Sequence, residues 1–347
     1  MSALPAPLDA SPPALVGARA RFASSALRRR EVQLLLAILL VGGVSTALHP
    51  NFGSASNISF MLADSVTTMV LAVSQTVVIL GRGIDLSVAP VLGIAAIGVG
   101  FPAQDHHLNI LLALLFVLLI GAALGVGNGF LVAVVGIPPI ITTLATLTIY
   151  GGLQFIFTSG QEVVSIPTSY GNLGSADVVP GVPWLLVIGA AVVAGAYLML
   201  TRTVPGRSIY AIGNNSDAAF RAGLPVRRVI FATYVISGTL AGLAGLIYLC
   251  HTGSADATSG TDSNLNLTSI AAALIGGTTL RGGRGNPVGG ALGAVFLSVA
   301  LTAMVFARIP PIWEPAGVGV LILLAVIAGG EGTHVRKMLQ SAGGARR

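Results

Sequence analysis

The chain alternates long apolar runs with short polar punctuation. The runs fall near 32–48, 60–80, 86–101, 109–135, 140–157, 184–201, 229–250, 267–280, 287–307 and 314–330. About 20 helical residues are needed to cross the hydrocarbon core of a bilayer. No water is available there to satisfy peptide groups, so apolar runs broken by Gly and Pro read as helices rather than sheet. The pattern predicts an all-α, polytopic membrane protein with about ten transmembrane helices. The third and eighth runs are short, which predicts spans that are tilted, broken or only partly crossing.

Composition agrees with the pattern. The chain is 54% hydrophobic and 9% charged, with a mean hydropathy of +0.88, whereas soluble domains carry about 25% charged residues. The pI of about 10.1 would point to nucleic acid in a soluble protein, and here the placement of the charges decides. With the N-terminus in the cytoplasm and the chain alternating, all of the 18 Lys and Arg residues except Arg308 fall inside. The outer loops 102–108, 158–183 and 251–266 carry Asp105, Glu162, Asp177, Asp256 and Asp262 but no Lys or Arg. Basic residues concentrate on the cytoplasmic side of membrane proteins, so the pI reports topology, and membrane lipid rather than nucleic acid is the expected contact. Three regions result: a disordered cytoplasmic tail over 1–31, a membrane domain over 32–330, and a basic cytoplasmic tail over 331–347. Ser45-Thr46-Ala47 is a passable signal-peptidase site, but the many spans that follow favour a retained first helix. With Cys250 the single cysteine, no disulfide or thiolate metal site can be built within the chain.

Inside the spans, charge is almost absent; Asp64 lies near the outer end of the second. Proton-driven carriers need an ionisable group on their pathway, so this scarcity argues against one. Small residues recur every four positions at Gly121, Gly125 and Gly129, at Gly238 and Gly242, and at Gly289 and Gly293, which lets helix backbones approach closely. Uncharged polar groups remain: Asn128, Thr142, Thr143, Thr146 and Gln154 are the candidate lining of a path for a neutral, hydroxyl-rich solute. Bonding to their own i−4 carbonyls, or gluing helices together, would account for such groups equally well. Two inner loops share a Gly-Arg-Gly pattern. LGRGIDLS (80–87) offers Gly83, Asp85 and Ser87, with Arg82 and Asp85 spaced to pair across one turn. LRGGRGNP (280–287) offers Gly283, Arg284 and Gly285.

The polar island GNNSDAAFRAGLPVRR (213–228) predicts one short cytoplasmic helix. Ser216 is a candidate N-cap and Asp217 puts negative charge in the first turn. Ala218, Ala219, Phe220 and Arg221 continue it, Gly223 can adopt the left-handed stop, and Pro225 prevents extension. Helices this short are marginal alone in water, so neighbouring loops or a partner must hold it, and Phe220 offers an apolar knob to a partner's groove. No phosphate-binding loop occurs, and the single lysine, Lys337, lies outside any such motif. ATP-driven work would therefore need a separate subunit.

Four stretches in order, GIDLSV (83–88), GIPPIITTLATLTIYGGL (136–153), GRSIYAIGNNSDAAFRAGLPVRRV (206–229) and IAAALIGGTTLRGGRG (270–285), resemble the permease subunits of bacterial ABC importers for ribose, xylose and related simple sugars. The likeness runs from about 34 to 330. It implies a non-catalytic permease in the inner membrane, paired with a second copy or a close relative. It also implies a cytoplasmic ABC ATPase that binds the ATP and Mg, and an extracytoplasmic sugar-binding protein. The loop matching 206–228 is then the ATPase contact, with Asn214, Ala218, Ala219 and Gly223 in the coupling segment. The chain departs from the family pattern at Ala89-Pro90, at Gly151 and at 265–268. The competing readings are a self-sufficient secondary carrier of the drug/metabolite type and a membrane-embedded enzyme, though no HExxH, aspartate-rich or nucleophile–base motif supports the enzyme.

Overall fold

A computed structural model describes residues 30–327. The expected tail over 331–347 and most of the tail over 1–31 lie outside that range. Arg30 and Glu31 do not belong to a tail, because they form the first turn of helix α1 (Arg30–Leu48).

The further long apolar helices are α2 (Ala55–Leu80), α3 (Val88–His106), α4 (Ile110–Phe130, prolonged by a π turn over Leu131–Val135), α5 (Pro139–Thr158), α7 (Trp184–Arg202), α10 (Val226–Thr252) and α12 (Pro287–Phe306). Two shorter ones, α11 (Leu265–Ile275) and α13 (Glu314–Val326), complete ten apolar helices among the described residues. Helix α3 is longer than its run suggested. It continues through Pro102, where the apolar pattern stops although the helix does not. The eighth run is indeed broken, since α11 ends at Ile275 and an irregular segment leads to α12. Between α5 and α7 the outer loop folds into α6 (Thr168–Ser175) and a small hairpin of β1 (Asp177–Val179) and β2 (Val182–Pro183), none of it signalled by hydropathy.

Helix α2 runs through the middle of the bundle, with its residues buried almost continuously from Val66 to Leu80 apart from Thr68. Helices α4 and α10 pack backbone to backbone, as their glycines predicted. A Cβ on Gly121 would strike the Gly238 carbonyl, one on Gly238 the Gly121 carbonyl, and one on Gly242 the Val117 carbonyl. Gly293 of α12 meets the Ala272 carbonyl of α11 in the same way. Where side chains would only separate helices in lipid, their removal yields dispersion contact along the whole crossing. At one end of the bundle lie the helices of the polar island and the two Gly-Arg-Gly loops. The acidic outer loops close the other, where Val163 and Ala255 bridge their backbones in antiparallel fashion.

Candidate functional site

The polar island folds as two helices. Helix α8 (Val204–Asn214) packs on the bundle, burying Ile209, Ile212 and Gly213. Helix α9 (Ser216–Arg221) follows after a single residue. The N-cap is Asn215, not Ser216: the Asn215 side chain accepts from Ala218 N–H at 3.0 Å. Both residues are good caps, and the extended backbone at Asn215 decides between them. Nor is 213–228 one helix, because Arg227 and Arg228 already belong to α10. The stop is as predicted. Gly223 takes φ +83°, and its N–H donates to Phe220 O while Leu224 N–H donates to Ala219 O, the paired bonds of a Schellman motif. Ala219 faces the bundle, whereas Phe220 is 72% exposed. Asp217 and Arg221 stand at the two ends of α9, the signs that its dipole favours.

Both Gly-Arg-Gly loops converge on the α8–α9 joint. Arg82 Nε donates to Gly213 O at 2.8 Å and its Nη2 to Asn214 O at 2.9 Å. Gly283 N–H donates to Leu80 O at 3.0 Å, Asn214 Nδ2 to Gly283 O at 3.4 Å, and Tyr210 Oη to Gly285 O at 2.9 Å. A Cβ on Gly213 would collide with the Leu80 carbonyl and the Gly283 amide, so only glycine admits this approach. Arg284 supplies its carbonyl to Thr279 N–H at 2.9 Å. The short helix is thus held by its own chain, and its outward side is left open.

Arg82 and Asp85 do not pair. The loop turns back into the bundle after Gly83, leaving Asp85 1% exposed and Ser87 fully buried. Asp85 Oδ1 accepts from Ser87 N–H at 3.0 Å and from Ser87 Oγ at 2.6 Å. Its Oδ2 accepts from Ser237 Oγ of α10 at 2.7 Å. The Ser237 hydroxyl in turn lies 2.8 Å from Ser74 Oγ of α2, and Asn128 Nδ2 of α4 donates to Ser87 Oγ at 2.7 Å. Gln75 of α2 bonds both backbone groups of Asp85. Irregular backbone at this depth is tolerated only where protein encloses it, and these bonds provide the enclosure.

The candidate path residues share one buried stripe. Thr142, Thr143, Thr146 and Gln154 lie on the inward face of α5, and Asn128 is buried on α4. Thr143 Oγ1 donates to Ile84 O at 3.1 Å, Thr146 Oγ1 to Thr142 O at 3.2 Å, and Gln154 Nε2 to Ser259 O at 3.2 Å. Asn128 Oδ1, Thr142 Oγ1 and Gln154 Oε1 are buried without a partner, and each such group costs about 1–3 kcal/mol. The Gln154 contact reaches the outer loop, where Gly260 approaches the Ala89 carbonyl at the start of α3. In that loop burial raises the Asp256 carboxyl, but hydrogen bonds from Thr258 and Ser259 outweigh it and hold Asp256 below its ordinary value.

Sequence reasoning missed Ser237 as a ligand of Asp85. It also missed the outer pair of Asp64 and His251, 3.9 Å apart, with Ser298 donating to Asp64 at 3.2 Å. Neither leaves a local signal, since the partners come from distant helices.

The family described as branched-chain amino acid transport system / permease component matches residues 57–326. The autoinducer 2 import system permease protein LsrC of Enterobacter sp. (strain 638) is 36% identical over 301 residues, covering 87% of this chain and 86% of that protein. LsrC of Klebsiella pneumoniae is 34% identical over 301 residues, covering 87% and 86%. The probable ABC transporter permease protein y4mJ of Sinorhizobium fredii is 33% identical over 290 residues, covering 84% and 86%. No solved structure matches the chain. The apolar helices, read with these relatives, make it a multi-pass protein of the inner membrane. From a match spanning most of the membrane domain and relatives aligned almost end to end, the chain belongs to the permease-component family of branched-chain amino acid transport systems and is an ABC importer permease subunit.

Proposed function

We propose that this permease forms the passage for a simple sugar or related polyol and works with three partners. An extracytoplasmic binding protein delivers the solute, a second permease completes the channel, and a separate ATPase presses on α8–α9. The observation that carries the reading is the α8–α9 joint, pinned from within by Arg82 and Gly283 while Phe220 is offered outward. A helix held this firmly transmits a push instead of folding away from it. The stripe on α5 supports the solute class, because its unpartnered hydroxyl and amide oxygens are groups that a polyhydroxylated molecule would satisfy. The curated relatives include importers named for autoinducer 2, which makes that compound the first to try beside ribose and xylose.

The test is uptake of labelled ribose, xylose and autoinducer 2 by cells expressing the complete importer. Phe220→Asp, or deletion of 215–223, should leave the permease inserted and abolish ATP-dependent uptake. Uptake that survives either change removes the coupling role. Flux driven by a gradient through the purified chain alone, with no ATPase present, supports a secondary carrier instead.

A further inference from the structure

Seven residues, 81–87, bond to almost every element that the proposed cycle needs, and no role has yet been given to them. At the cytoplasmic end Arg82, held at φ 68°, grips the last two carbonyls of the α8 side of the joint through Nε and Nη2. Three residues on, Asp85 is fixed to α10 through Ser237 and to α2 through Gln75. Ser87 holds α4 through Asn128. Ile84 O receives Thr143 Oγ1 from α5 at 3.1 Å. Its first three residues close the end of α2, with Gly81 and Gly83 N–H on Val78 O and Arg82 N–H on Ile79 O, and Ser87 O takes Val91 N–H at the start of α3. A displacement of the α8–α9 joint therefore reaches Arg82 directly, and through the bonds of Ile84, Asp85 and Ser87 it reaches Thr143 and Asn128.

Helix α5 is the element best prepared to respond. It enters after Gly136 in the left-handed region, with φ +87°, followed by Pro138 and Pro139. It leaves through Ser159 at φ 49° and Gly160 at φ 77°. Its outward face is apolar at Ile141, Leu144, Ile149 and Phe155. Its inward face carries the polar stripe, with Thr142 and Gln154 each leaving an oxygen unpartnered. Such a helix loses few strong bonds on moving, and its stripe gains partners once water or solute reaches it.

We propose that the loop 81–87 is the transmission element of the importer, carrying movement of the ATPase contact to α5, with Arg82 and Asp85 as its positioning residues. The inference rests on the reading of α8–α9 as that contact. It assigns the passage to the inward side of α5, opened by the loop.

The experiment uses the permease purified with its ATPase subunit in lipid nanodiscs, with Cys250→Ala as background. Spin labels at Ile141→Cys on α5 and Leu198→Cys on α7, both exposed, report the separation at rest and after trapping with ATP and vanadate. The expected result is a shift on trapping in the parent complex. Ser237→Ala and Thr143→Val, which remove the hydroxyls that tie the loop to α10 and α5, should retain the resting distance and ATPase association and lose the shift. A purely structural role would alter the resting distance or assembly and not the response alone. The proposal is overturned by variants that shift like the parent, by a parent in which α5 does not move while ATP is hydrolysed, or by both variants failing to assemble. Failure of any ATP-hydrolysing subunit to copurify takes down the underlying reading as well, and is a distinct outcome.

Discussion

Gly238 shows how much one missing side chain decides. It faces the Gly121 carbonyl and the Gly125 backbone across the α4–α10 crossing, where no side chain can rotate away to make room. Overpacking inside a well-filled interior costs about 1–3 kcal/mol, occasionally more, and the backbone contact puts this site at the upper end. Gly238→Val should lower the midpoint of thermal unfolding in detergent. Gly151→Val, at a position with open space around it, should leave the midpoint within error, and equal midpoints would show that the crossing tolerates separation. That these helices pack closely was legible in the sequence because spacing by four is a local signal, whereas which of them meet was not. The Asp85 network was not, since its Ser237 and Ser74 partners belong to α10 and α2 and nothing beside Asp85 marks them. Sequence offered Arg82 as the partner of Asp85, and burial of the loop overruled it.

Among the elements, α9 tests how end signals specify a helix of six residues. Loss of an N-cap side chain costs about 1 kcal/mol, and a β-carbon at a left-handed position costs a similar amount. Asn215→Ala and Gly223→Ala should therefore each speed amide exchange through 216–222 while leaving α10 protected, and should weaken copurification of the ATPase. Unchanged exchange in both would mean that the Arg82 and Gly283 contacts alone hold the segment. The stop was read correctly from Gly223 and Pro225 because backbone conformation at a stop is nearly fixed by residue type. The start was read one residue late, since Asn and Ser caps adjoin and only the chain's path into α8 separates them. The α6 segment and the β1–β2 hairpin escaped notice altogether, as their short, mostly exposed backbones carry no hydropathic period.

For the whole molecule, the strongest sequence signal was the sorting of charge. It put the α7–α10 connection in the cytoplasm, and the structure gathers that connection with both Gly-Arg-Gly loops at one end of the bundle. An impermeant maleimide applied to intact cells should leave Asn215→Cys unmodified and should label Glu162→Cys, both on exposed positions. Labelling in the reverse sense would invert the topology. The ten apolar helices among the described residues also followed from the sequence, because each grows from an apolar run set off by polar flanks. What sequence could not supply was the depth of the loops. The segments 81–87 and 254–264 both lie between apolar runs and read as surface, whereas Asp85 and Gly260 come to rest against helix interiors.

The glycine crossing also limits how the molecule can work. Turning either helix about its own axis would bring residues with β-carbons opposite peptide oxygens, so the two fit only with these glycine faces together. They therefore behave as a stator. Whatever rocks or tilts during a transport cycle has to do so around this pair, and the freedom to rearrange is left to the helices whose contacts are made by removable side chains.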